Sequence, residues 1–395
     1  MKLILSTILA LITLPIYGMF TNKAYRIKNL VTYHSPMRHN SSIALANQNI
    51  FIQKIMTLPI SNEHKQNLYE QLDSGGKSVK QYINFVYSLP WDKATNDILD
   101  IVRARKILDN DHYGLETVKE RILEFVAIKK LNKHSRFLNA LCLIGKPGIG
   151  KTSIATSTAK IFNRKCQIVG LGGASNAMHI KGSERGWSGA IPGRIIQALN
   201  LAQSKNPVIV LDEIDKVSQS SHNGSPTASL LEVLDPQQNK FFTDNYVEIP
   251  FDLSQVLFIA TANYKDQIPK ELLNRMHVIE LPSYTVEDKI QIAQRHLIKQ
   301  VEYEAGLADY AKYHLSLTPE TLTVLINDYT NEAGVRELKQ VLGRLAACTA
   351  RFIVGDPSIK ERPVFTEKNV GKYLGKAKIS TSEVAKYILA NKNKE

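Results

Sequence analysis

The chain has 395 residues, 44% apolar and 22% charged, an ordinary globular balance with room for two or three domains. Its net charge of +13 is uneven: residues 1–62 hold no acid and six basic side chains, leaving 44 basic against 37 acidic beyond. So small an excess leaves DNA binding possible but not predicted, and favours a solvated basic surface plus a targeting segment. Cys142, Cys166 and Cys348 show no C-x-x-C spacing and read as buried free thiols in a reducing compartment. The ten histidines form no H-E-x-x-H, which removes the usual zinc signature.

In chain order, residues 1–18 pair Lys2 with an apolar run, Leu3 to Leu14, and read as a signal peptide or signal anchor. Residues 19–50 are basic, acid-free and rich in Ser and Asn, as in an organelle transit segment. The two tracts in series predict an organelle lumen reached through an N-terminal signal, plastid-like or mitochondrial, with membrane anchoring as the alternative. Residues 51–93 turn helical, broken at Gly75-Gly76, with Tyr82, Phe85, Val86 and Leu89 on one packing face. Pro90 stops that helix. Helices are predicted over Asp97 to Leu108 and Leu115 to Leu131, with a turn-rich loop at 109–114.

Strands are expected at Ala140 to Ile144, Cys166 to Leu171, Pro207 to Leu211, Val256 to Ala260 and His277 to Leu281. Helices are expected between them at Lys151 to Phe162, Gly193 to Gln203 and Ala228 to Leu234. Residues 172–193 read as a long polar, glycine-rich segment and 218–226 as a loop. That alternation predicts an α/β fold with a parallel sheet between helices over 94–282. Helices at 285–300, 318–328 and 334–353 make a separate small all-helical domain over 283–375, and 376–395 is a tail without motifs.

The chemistry gathers around one stretch. Gly145-Lys146-Pro147-Gly148-Ile149-Gly150-Lys151-Thr152 fits G-x-x-x-x-G-K-[ST] between a strand and a helix. Glycines let the backbone turn its N–H groups toward phosphate, and the helix adds its positive end. Lys151 would reach the β- and γ-phosphates, and Thr152 would hold Mg²⁺. Asp212 and Glu213 follow four apolar residues, so a buried strand delivers them to the carboxyl edge of the sheet. Asp212 would hold Mg²⁺ through water and Glu213 would polarise the attacking water.

Asn263 ends the next strand, where it can position that water or serve as a turn residue. Arg275 can face a neighbour's nucleotide or form a surface ion pair. Arg336 opens a helix, where a cation opposes the helix dipole, and Gly334 before it permits a turn; Arg336 contacts phosphate or is an ordinary exposed arginine. Trp187, flanked by glycines, is either an exposed gripper of polypeptide or a core residue.

With these residues assembled, the chain resembles the ATPase part of the Lon family of ATP-dependent proteases, within the AAA+ superfamily. Asp111-His-Tyr-Gly-Leu115, Gly172-Gly173, Ile191-Pro-Gly-Arg194, Leu230-Leu-Glu-Val-Leu-Asp-Pro-Gln237 and Glu332-Ala-Gly-Val-Arg336 carry the resemblance, together with Leu89-Pro-Trp91. It implies an ATP- and Mg²⁺-dependent hydrolase, with residues 51–93 the last piece of a Lon N-terminal region. It makes Asn263 and Arg336 sensors, Arg275 an arginine finger, His112 and Tyr113 the adenine pocket, and Trp187 the pore-loop aromatic. Ser188 stands where an apolar residue is usual, which weakens the expected grip.

The resemblance further implies a homo-oligomeric, six-membered ring acting on unfolded proteins. The S-x-x-K at Ser157 to Lys160 lies in the phosphate-loop helix, so no peptidase dyad is expected there. A separate peptidase or a full-length Lon is the expected partner. The alternative is a regulatory or structural ATP-binding subunit, or, further off, a DNA-acting motor.

Overall fold

The computed structural model describes residues 41–132, 140–174, 176–217, 224–356, 358 and 361–378. The expectations for residues 1–40, and for the tail beyond 378, lie outside the described residues. The chain forms two compact units, with the division after Asn84.

The first unit contains α1 (Ser41–Thr57), α2 (Asn62–Ser74) and the start of α3 (Lys77–Ser88). Helix α1 thus begins inside the basic tract. Ser61 caps α2, its hydroxyl accepting the His64 N–H at 3.2 Å. Tyr82, Val86 and Leu89 are buried as their spacing predicts, as is Ile83, whereas Phe85, expected on the same face, is half-buried.

The second unit opens with α4 (Ile101–Asp111) and α5 (Glu116–Leu131). Helix α4 starts four residues later than expected. Asp97 is occupied by Arg164, whose Nη2 lies 2.6 Å from it, and Asp100 is the residue that caps the helix, accepting the Arg103 N–H at 3.0 Å. Leu115, expected inside the next helix, instead sits before it in the left-handed region at φ 58°.

Five strands follow: β1 (Ala140–Ile144), β2 (Cys166–Gly170), β3 (Val208–Asp212), β4 (Leu257–Ala262) and β5 (His277–Glu280). They form one parallel sheet in the order β2-β3-β4-β1-β5. Leu141 of β1 sits between Ile259 of β4 and His277 of β5. The intervening helices are α6 (Lys151–Phe162), α7 (Met178–Lys181), α8 (Arg194–Ala202), α9 (Pro226–Leu234) and α10 (Lys270–Leu273). Short α7 lies in the stretch read as polar and glycine-rich, where no helix was expected.

Every side chain of β1 and β4 is buried, which explains their continuous apolar runs. Leu141, Leu143, Val208, Val210, Leu257 and Ile259 join one cluster with α4, α5 and α6, where Phe125 meets Phe162 edge-on. The alternating Cys142, Ile209, Leu211 and Phe258 are buried on the opposite face. Burial pushes the Cys142 thiol up to about 12. Cys166 and Cys348 are free but only half-buried.

From 286 the chain is helical: α11 (Val286–Ile292), a π-helical turn (Ala293–Leu297), α12 (Ile298–Glu304), α13 (Pro319–Tyr329), α14 (Arg336–Ile353) and α15 (Val370–Leu374). Thr285 and Asp288 form a capping box at the start of α11. Leu322, Leu325, Leu338, Leu342 and Leu345 centre a second apolar cluster, closed on itself. The structure is therefore α/β with a helical lid, as expected. Among the described residues no helix is long and apolar enough to cross a membrane.

Candidate functional site

Strand β1 ends at Ile144, and the chain folds back through Gly148 and Gly150, at φ 80° and 92°, before α6 starts at Lys151. Those backbone angles suit glycine alone among ordinary residues. The fold brings Lys151 under the loop it terminates. Its Nζ donates to Gly145 O (2.6 Å), Lys146 O (3.1 Å) and Asn263 Oδ1 (2.9 Å). Burial pushes the Lys151 pKa down, opposed by Asp215, Asp212 and Glu213 nearby. The ammonium is therefore held in place beside three carboxylates.

Asp212 and Glu213 leave β3 at the same sheet edge. The Thr261 hydroxyl, fully buried on β4, donates to Asp212 Oδ1 at 2.5 Å and accepts the Glu213 N–H at 3.2 Å. Glu213 itself has φ 61°, so its carboxylate is turned sharply out of the strand. It lies against Gly172, where a β-carbon would collide with Oε2, and it pairs with Lys216 at 2.6 Å. Asp215, buried, accepts the N–H groups of Asn263 (2.8 Å) and Tyr264 (3.2 Å) on Oδ2. That clamp fixes the turn from which Asn263 reaches Lys151.

The lid touches this edge directly. Val335 N donates to Gly148 O at 3.1 Å, and the Tyr284 hydroxyl donates to Ile149 O at 2.9 Å. Gly334 does not have the positive φ expected of a turn glycine. It is needed for close approach: a β-carbon there would collide with the Gly148 carbonyl and lie 2.7 Å from Pro147 O. Arg336 opens α14, and the Glu332 carboxylate accepts the Arg336 and Leu338 N–H groups at 2.8 and 2.9 Å. The helix end thus has its own anion, which offsets the cation.

The remaining residues lie apart. His112 is buried against α6, its Nε2 2.9 Å from Ser157 Oγ, and burial pushes its pKa down to about 4. Tyr113 lies under the Arg295 guanidinium of the π-helical turn. Ser157 Oγ and Lys160 Nζ both bond to Asp111, at 2.7 and 2.9 Å. Arg275 is 45% exposed at its side chain and pairs with buried Asp235 at 3.0 Å. Trp187 is 70% exposed at the tip of a loop whose base is closed by Ser183 N to Ile191 O at 3.0 Å. The Trp187 side chain is therefore outside the core.

Sequence reasoning missed Asp215, Thr261, Tyr284 and Asp235. Asp215 and Asp235 were visible in the acidic run after β3 and in Leu-Asp-Pro, but nothing local says what they hold.

Comparison with known proteins gives this edge its setting. Residues 141–283 match the model of the ATPase family associated with various cellular activities (AAA), and residues 304–362 that of the Lon protease AAA+ ATPase lid domain. The chain carries the AAA+ and lid domains of the Lon family. It is 46% identical over 315 residues to a Lon protease of Clostridioides difficile, covering 80% of this chain and 38% of that protein. A Lon protease of Trichlorobacter lovleyi is 47% identical over 307 residues, covering 78% and 37%. A mitochondrial Lon protease homolog of Eremothecium gossypii is 45% identical over 284 residues, covering 72% and 26%. The chain thus spans about two-fifths or less of the length of these relatives.

Thr152 and Asp212 offer a hydroxyl and a carboxylate at one edge, hard oxygen donors of the kind Mg²⁺ takes. Asp212 Oδ1 is bonded to Thr261, which orients the carboxylate. The donor set fits the ion.

Proposed function

We propose that this chain is the ATP-hydrolysing motor of a Lon-type unfoldase. The supporting observation is the bond from Lys151 Nζ to Asn263 Oδ1, with Asp212 and Glu213 beside it below a glycine loop. In this reading residues 94–282 are the core and 283–375 the lid.

The N–H groups of Gly148 to Lys151 hold the β-phosphate, and Lys151 spans to the γ-phosphate. Thr152 and Asp212 hold Mg²⁺, which neutralises phosphate charge when bound. Glu213 exchanges its pair with Lys216 for the attacking water. An exposed pair of that kind is weak, so the exchange is inexpensive. Asn263 orients the same water. Arg336 reaches phosphate from the lid, and His112 and Tyr113 flank the adenine.

Arg275 serves a neighbour's site in a ring of six. Its exposed side chain supports that role over a purely internal one. Trp187 presses on unfolded polypeptide, and hydrolysis moves its loop. Peptide cleavage is assigned to none of these residues. The location we assign is an organelle lumen, by analogy with the mitochondrial relative.

Fluorescent-nucleotide binding and ATPase assays test the reading together. Lys151→Ala loses nucleotide affinity; Glu213→Gln keeps it and loses turnover. Unfolded casein, and not DNA, stimulates the wild-type rate. Undiminished affinity in Lys151→Ala would remove the site assignment. An assembled protein with no Mg²⁺-dependent turnover would point to the regulatory-subunit alternative.

A further inference from the structure

Arginine fingers work only when aimed, and a free guanidinium is not aimed. An unconstrained arginine loses substantial side-chain entropy when it is ordered. Arg275 follows α10 on a backbone fixed by its own N–H to Leu272 O at 3.0 Å. Its guanidinium meets one carboxylate among the described residues, that of Asp235, through Nη2. A guanidinium has five N–H donors, so one such contact leaves the outer part of the fork available.

Asp235 is built to hold still. It is 4% exposed and ends α9, its N–H bonded to Leu231 O at 2.9 Å. Its Oδ1 accepts the Gln237 N–H at 2.8 Å, which fixes the plane of the carboxylate. The other oxygen, Oδ2, faces Arg275 at 3.0 Å and also accepts from Gln238 Nε2 at 3.4 Å. A buried carboxylate needs partners, and here the charged one is a half-exposed cation rather than a buried one.

We infer that Asp235 is a positioning residue that aims Arg275 at the nucleotide of the neighbouring subunit, an inference resting on the finger reading above. Asp235 touches no nucleotide itself. It acts by preorganising the one group that does. The same carboxylate ends α9, which packs against α10. Movement of α9 therefore carries the finger with it.

The test uses the full chain and steady-state Mg²⁺-ATPase kinetics. Asp235→Asn keeps Oδ1 as acceptor for Gln237 and loses the ion pair. It should lower kcat roughly 10²-fold, the scale of a misplaced reacting group, and leave KM for ATP unchanged. Asp235→Glu, with the charge on a longer arm, is the second variant and should lower kcat with an unaltered melting temperature.

Subunit mixing then separates aim from folding. Asp235→Asn subunits keep a sound ATP site, and Glu213→Gln subunits keep a sound finger. Mixed in equal amounts they should recover turnover above the mean of the two alone. Arg275→Ala mixed with Glu213→Gln should recover in the same way and serves as the control. Recovery in the control without recovery for Asp235→Asn overturns the inference and leaves the finger reading standing. So does full kcat in both Asp235 variants. Full kcat in Arg275→Ala, or no recovery in the control, removes the finger reading and this inference with it.

Discussion

The sheet domain and the lid are built alike and joined differently. Each closes on its own apolar cluster, one around Leu141, Ile154 and Phe162, the other around Leu322, Leu342 and Leu345. Where they meet at the phosphate loop, the contacts are polar and largely backbone: Val335 N to Gly148 O and Tyr284 hydroxyl to Ile149 O, over Gly334. Tyr284 packs at the rim of both clusters. Apolar burial is non-directional and costly to undo, whereas a few hydrogen bonds exchange for others at about 1 kcal/mol each. The molecule thus puts its stability in the two cores and its adjustable contacts at the loop that would hold phosphate.

The largest expected effect comes from breaking one side of that comparison. Leu342, fully buried in α14, anchors the lid cluster. Leu342→Ala should destabilise the lid by about 2–5 kcal/mol. Calorimetry should show the lid transition moving down while the sheet-domain transition stays. A joint shift of both would show that the cores are one cooperative body.

The next change breaks the seam and spares both cores. Gly334→Ala puts a β-carbon against Gly148 and Pro147. It should cut ATP turnover by roughly 10²-fold through displacement of the loop. The two unfolding transitions should be retained. Wild-type turnover would show that the close approach is incidental.

The layered fold was legible because strand and helix periodicities alternate, and the phosphate loop because its glycines lie at fixed spacing. The strand order was not: periodicity cannot say that β1 lies between β4 and β5. Within the site, the residues that touch ligand in the proposed reading came from local motifs, except His112 and Tyr113, which came from the family resemblance. Those that hold them did not. Thr261 reaches Asp212 across 49 positions and Asp215 reaches Asn263 across 48, so neither contact has a spacing to read. Gly334 was read as a turn residue because close approach and a turn leave the same mark in sequence. The π-helical turn at Ala293–Leu297 interrupts an otherwise ordinary helical pattern and gave no sign of itself.

A third measurement asks how the sheet domain responds to acid beside the seam. His112 has its pKa lowered from 6.5 to about 4, first by burial, with Lys119, His296 and Lys160 in the same direction and Asp111 opposing. The folded state therefore binds fewer protons than the unfolded one between these values. Its contribution is complete above pH 6.5 and is lost as pH falls through about 4. The loss should be about 1–3 kcal/mol. Asp244, raised to about 6 chiefly by burial, acts in the opposite sense, its contribution fading as pH rises through that value. Urea midpoints taken from pH 7 to 4.5 should fall less steeply in His112→Gln than in the wild type, and more steeply in Asp244→Asn. Equal slopes in all three would mean that neither group is coupled to folding.

The smallest expected effect is the sharpest test of the seam. Tyr284→Phe removes one hydroxyl and keeps the ring at the rim of both clusters. Ile149, fully buried, loses the side-chain donor to its carbonyl, so the cost should be about 0.5–1.5 kcal/mol. If the seam acts as a unit, this loss should shrink in the Gly334→Ala background, where the loop has already moved. Two independent contacts would instead add. Urea midpoints of the two single variants and the double variant decide between these outcomes. Strict additivity would make the junction a set of separate bonds, with no shared rearrangement of lid and phosphate loop to exploit.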